Sequence, residues 1–135
     1  MYLGVLDYED KKRFFALASR LVSVDGDISD EEIGLLEAYR NEMNLLDVDS
    51  MSDLEIEEIV NEVTENSVVK KIFIYELLTL SYVDSDYSDE EKRYMKSIKE
   101  MFDISDDIFA SLENLVKRMV DTTNSVTEII MSNDD

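Results

Sequence analysis

The chain has no cysteine, no histidine and no proline among its 135 residues. Without cysteine there is no disulfide framework, which fits a reducing compartment. Without cysteine or histidine, the usual zinc and copper ligand sets are missing. A carboxylate-bridged di-iron centre built on Glu-x-x-His pairs is disfavoured for the same reason. No Ser–His or Cys–His nucleophile pair can form, and the three glycines make no phosphate-binding loop. Apolar runs are short as well. None approaches the roughly 20 residues of a membrane span. The first nine residues carry Asp7 and Glu9, and no basic residue precedes Lys11, so the positive start of a signal peptide is absent. These absences lead to an expectation of a cytoplasmic protein, not inserted in a membrane and without ordinary catalytic machinery.

Positive charge is scarce too. Thirteen Lys and Arg face 33 Asp and Glu, a net charge of -20. A field of that sign repels nucleic acid and anionic membrane surfaces, and it attracts cations and basic protein surfaces. It also admits a contrasting reading, an acidic decoy that mimics the phosphate backbone of DNA. A decoy needs carboxylates ranged along an extended face, for instance on the third and sixth helices. A cation site concentrates them at two turns.

With so few helix breakers, apolar residues recurring at helical period predict an all-α fold. The length suits a single domain spanning residues 1–135. The pattern predicts about seven helices, over residues 8–24, 30–43, 53–65, 67–83, 89–102, 106–120 and 125–131. The third is expected to open on a Ser52–Glu55 capping box. Two helices are apolar over most of their circumference. One holds Phe14, Leu17 and Leu21, the other Ile72, Phe73, Leu77 and Leu80. Both belong at the centre of the bundle. In the second helix Ile33, Leu36, Tyr39 and Met43 form the inward face.

The chain repeats itself. Asp25-Gly-Asp-Ile-Ser-Asp-Glu-Glu32 is matched by Asp84-Ser-Asp-Tyr-Ser-Asp-Glu-Glu91, at an offset of 84 − 25 = 59. The flanks match at the same offset, Leu21 with Leu80, Leu36 with Met95 and Met43 with Phe102. Each unit, about residues 8–46 and 67–105, reads as apolar helix, acidic turn and amphipathic helix. Two such units can pack with pseudo-twofold symmetry.

The first copy, with Asp25, Gly26, Ile28 and Glu32 opening a helix behind an apolar one, resembles the TerB-like (tellurite-resistance) family. The likeness extends over most of the chain, from about Phe14 to Leu115. It implies an all-helical domain in a bacterial stress-response or tellurite-resistance system, acting with membrane-bound or calcium-binding protein partners. It also implies a metal-binding role for the acidic residues. The second copy departs from the pattern, with Ser85 for Gly and Tyr87 for Ile.

Two readings of the turns follow from the residues. In one, Asp25, Asp27 and Glu32, with Asp84, Asp86 and Glu91, offer hard oxygens to Ca2+ or Mg2+, and Gly26 supplies a left-handed backbone position. The turns are not EF-hands. Their twelfth positions are Leu36 and Met95, where a bidentate Glu is required. In the other reading, Ser29–Glu32 and Ser88–Glu91 are capping boxes. Asp30, Glu31, Asp89 and Glu90 then sit in first turns, where the helix dipole favours them. Capping explains the Ser and Glu positions but not the aspartates outside the helix.

Overall fold

The computed structural model describes residues 2–24, 26–45, 51, 53–83 and 87–133. Within them the chain is all-helical, with no strand. Six α-helices follow a short helical turn at Leu3–Val5: α1 (Tyr8–Ser23), α2 (Asp30–Met43), α3 (Ile56–Glu62), α4 (Ser67–Tyr82), α5 (Asp89–Met101) and α6 (Asp106–Met131).

Each start has a local cause. The Asp7 carboxylate accepts the amide of Asp10 at 2.8 Å and opens α1. Asn66 accepts two amides, those of Val68 and Val69, at the head of α4. Ser105 accepts the amide of Ile108 and opens α6. Each satisfies donors that a helix start leaves without partners. Two expected boundaries differ. The third helix begins at Ile56 with Glu55 as its cap, where the Glu58 side chain returns to the Glu55 amide at 3.1 Å. That start lies beyond the expected Ser52–Glu55 box. The sixth and seventh expected helices are one. Residues 121–124, Asp-Thr-Thr-Asn, are poor helix formers, but none of them is Gly or Pro, and the backbone runs through.

The repeat is visible in the backbone. Asn44 ends α2 at φ 55°, and Asp103 follows α5 at φ 57°. These positions are 59 apart. Leu45 N–H donates to the Arg40 carbonyl at 3.1 Å, and Ile104 N–H donates to that of Lys99 at 3.1 Å. Both helices therefore close with the same left-handed C-terminal motif, which satisfies carbonyls the helix leaves open.

The two units meet through equivalent residues. Phe14 and Phe73, also 59 apart, pack edge-to-face at 5.5 Å. Tyr39 continues the row from Phe14 at 5.3 Å, and Phe102 continues it from Phe73 at 5.7 Å. Tyr39 Oη donates to the carbonyl of Glu76, and Tyr94 Oη donates to that of Leu17. Leu17 and Glu76 are repeat equivalents, so each unit's second helix is pinned to the same point on the other unit's first helix. The expected central helices, α1 and α4, are the ones that carry this core. Phe14, Leu17, Phe73, Leu77 and Leu80 are fully buried.

Ile33, expected inward, is 48% exposed, and the buried apolar residues of α2 are Tyr39 and Met43. Two carboxylates are buried that periodicity did not single out. Glu76 accepts the Tyr2 amide at 2.9 Å, and Asp10 binds Arg13 at 2.8 Å and the Thr64 amide at 3.3 Å. No helix among the described residues is long and apolar enough to cross a membrane.

Candidate functional site

The two acidic turns join α1 to α2 and α4 to α5. In the first, Gly26 adopts φ 80° and its amide reaches the Ser23 carbonyl at 3.1 Å. That left-handed turn is where a residue without Cβ is easiest to place. The chain then extends into Ser29. Ser29 N–H donates to Glu32 Oε1 at 3.0 Å, and Glu32 N–H donates to Ser29 Oγ at 3.1 Å. The second turn repeats this. Ser88 N–H donates to Glu91 Oε1 at 3.1 Å, and Glu91 N–H donates to Ser88 Oγ at 3.1 Å. Both capping boxes are complete.

The boxes take up part of the proposed ligand set. Glu32 and Glu91 are only 3% and 2% exposed, and one oxygen of each is committed to its cap. Asp27 is exposed, as are Asp30, Glu31, Asp89 and Glu90 in the first turns. Asp25, Asp84 and Asp86 lie outside the described residues. Among the described residues, no three Asp or Glu side chains stand together where they could share one ion.

The two turns differ in their cover. Ile28 of the first is 47% exposed. Its equivalent, Tyr87, is half-buried against Tyr82, with ring centroids 4.7 Å apart, and Lys92 lies over its face at 5.6 Å. Burial, and then the nearby Glu113 carboxylate, push the Tyr87 phenol well above its ordinary value. The same two causes hold Tyr82 at about 12. Glu113 belongs to α6, so that helix comes close to Tyr82 and Tyr87.

One polar residue of α1, Arg20, gave only a faint signal in the sequence. The Arg20 guanidinium donates to the carbonyls of Met51 and Leu54, at 2.5 and 2.9 Å. Its Nη1 is buried without a hydrogen-bond partner among the described residues. Its charge also faces Tyr94, whose phenol is raised by burial and drawn partly back by this cation. A lone basic residue inside the apolar stretch from Ala16 to Val22 was the only clue to it.

α5 carries Lys92, Arg93, Lys96 and Lys99, and three of them make local contacts. Arg93 lies 3.7 Å from Glu90, and Lys99 contacts Asp106 at 2.6 Å. Lys92 covers Tyr87. The Lys99 hydrogen bond and charge hold the Asp106 carboxyl below its usual value. Two clefts open elsewhere. One, of about 470 Å³, is apolar and lies between α4, α6 and the first residues. The other, of about 340 Å³, is mixed in character and lies at the heads of α4 and α6. No protein-family model matches the chain, and no curated protein or solved structure is significantly similar to it.

Proposed function

We propose that this chain is a non-enzymatic, cytoplasmic module of a bacterial stress-response system of the TerB-like, tellurite-resistance type. It acts by presenting its acidic turns to a divalent cation, Ca2+ or Mg2+, to a basic surface on a protein partner, or to both. One observation carries the reading. The two units share their core contacts, helix caps and left-handed helix ends, so the helices that flank the two acidic turns belong to one packed frame. Such a frame fixes charge, which is what recognition of a cation or a basic partner requires.

The ligand set is then Asp25, Asp27, Glu32, Asp84, Asp86 and Glu91. The first turn leads, because its Ile28 and Asp27 are exposed while Tyr87, the equivalent of Ile28, is half-buried against Tyr82. The absence of histidine and cysteine supports the non-enzymatic part of the reading. The acidic-decoy alternative has less support. A phosphate-like row along α6 would be interrupted by Lys117 and Arg118 and by exposed Leu115, Val126 and Ile129.

A thermal melt tests the cation arm. Chelator-stripped protein is heated with Ca2+, Mg2+ or Mn2+, against NaCl at matched ionic strength. A specific site at a hundred times its dissociation constant adds about 2.7 kcal/mol. For a domain of this size the expected rise in Tm is about 10 °C. The Asp25→Asn, Asp84→Asn double variant should abolish it. If salt alone reproduces the whole effect in the parent chain, the cation arm fails and protein partners remain.

A further inference from the structure

We infer that the apolar cleft between α4 and α6 binds a small amphipathic carboxylate, a medium-chain acyl anion whose head pairs with Lys71. The internal repeat points to this place. On α4 the lining residues Val68, Lys71, Ile72 and Tyr75 form one stripe along the helix. Their equivalents 59 positions earlier, on α1, are Glu9, Lys12, Arg13 and Ala16. There the charges neutralise one another. Lys12 lies 3.2 Å from Glu9, and Arg13 lies 2.8 Å from Asp10. On α4 both carboxylates give way to valine, at Val68 and Val69, and the arginine gives way to Ile72. Of these four charged positions only the lysine is kept.

Lys71 is partly buried, and it makes no ion pair or hydrogen bond among the described residues. Its neighbours one turn away, Ser67, Val68, Ile74 and Tyr75, offer no carboxylate. It is the one charged residue among those that line the cleft. An apolar surface with a single cation beside it matches an apolar body with a single anionic head.

The cleft suits a chain better than a bare anion. Its α4 stripe runs about 10 Å along the helix axis. α6 adds Leu112 and Leu115, and the volume of about 470 Å³ falls in the range of small-molecule sites. The walls are also held in place. The Tyr2 amide donates to Glu76 at 2.9 Å and the Leu3 amide to Glu42 at 3.2 Å, which fixes the first residues beside α4. Tyr2 meets Tyr75 edge-to-face at 5.5 Å, and Tyr75 Oη donates to Met119 Sδ at 3.3 Å. A preformed wall costs little ordering on binding. The net charge of -20 draws cationic amphiphiles to the protein as a whole, and Lys71 at close range reverses that preference inside the cleft. A bound carboxylate there takes the part that Glu9 plays for Lys12. The site shares no residue with the acidic turns, so its failure would leave the proposed function standing.

Calorimetric titration of the full chain with decanoate, decanol and decylammonium tests this, at constant ionic strength and at concentrations where each stays monomeric. Decanoate should bind saturably at one site, about tenfold tighter than decanol, with decylammonium weaker still. Each methylene removed from the chain should weaken binding about fourfold. Lys71→Met keeps the stem and removes the charge. It should erase the preference for decanoate and leave decanol binding unchanged. Val68→Glu restores at an exposed position the carboxylate that the first unit has at Glu9. It should pair with Lys71 and abolish decanoate binding, while circular dichroism shows the helices intact. No saturable binding of decanoate by the parent chain overturns the proposal, as does decylammonium or decanol binding equally tightly. Decanoate held as well by a folded Val68→Glu chain as by the parent also overturns it.

Discussion

Tyr39 and Tyr94 show how single side chains join the two units. Each buries a ring and spends its hydroxyl on a carbonyl of the opposite unit. A buried hydroxyl needs such a partner, and removing it leaves the carbonyl with one fewer donor. Tyr94→Phe should therefore cost about 1 kcal/mol in denaturant unfolding, and Tyr39→Phe about the same. The same burial sets an alkaline limit. Tyr39, Tyr82, Tyr87 and Tyr94 all hold their protons above the ordinary value of 10.0. Because the folded pKa values lie above the unfolded one, the stability these groups contribute is complete below pH 10.0. It falls as pH rises past that point toward the folded values. Stability measured by denaturant titration should decline above about pH 10. Ultraviolet titration should show this subset of tyrosines ionising only as the helical signal is lost. Early ionisation of all seven tyrosines while the helices remain would contradict the burial described.

At the scale of elements, the repeat organises the fold. Ser29→Ala and Ser88→Ala each remove one capping hydroxyl, and each should lower stability by about 1 kcal/mol. Phe14→Ala or Phe73→Ala opens the contact between the units and should cost about 3–5 kcal/mol, detected by thermal or denaturant unfolding. Much of this architecture was legible because its causes are local. Apolar spacing located α1, α2, α4 and α5 to within a residue or so, and the Ser-x-x-Glu pairs announced two starts that the structure makes. What was not legible depends on distant neighbours. Glu76 is buried beside an amide 74 residues away, and Asp10 beside one 54 residues away; neither partner can be read from a local pattern. The continuity of α6 was missed because weak helix formers at 121–124 resemble a break, while only Gly or Pro would compel one. For the site, sequence located the acidic turns and both capping boxes. It did not reveal that Tyr87 is covered from α6, because Glu113 lies far along the chain.

At the scale of the whole molecule, the charge of -20 dominates. Self-repulsion opposes the compact state, so NaCl alone should raise Tm, and a divalent cation held at the turns should raise it further at equal ionic strength. The central claim is that the acidic turns form a defined site and are more than solvated caps. The most direct test is a nuclear magnetic resonance titration of nitrogen-labelled protein with Ca2+ and then Mg2+, at constant ionic strength. A defined site gives saturable shifts concentrated at the amides of Gly26, Asp27 and Ser29, weaker ones at Tyr87 and Ser88, and none along α3. Small, unsaturable shifts spread over every acidic helix would contradict it and reduce the turns to well-capped helix starts.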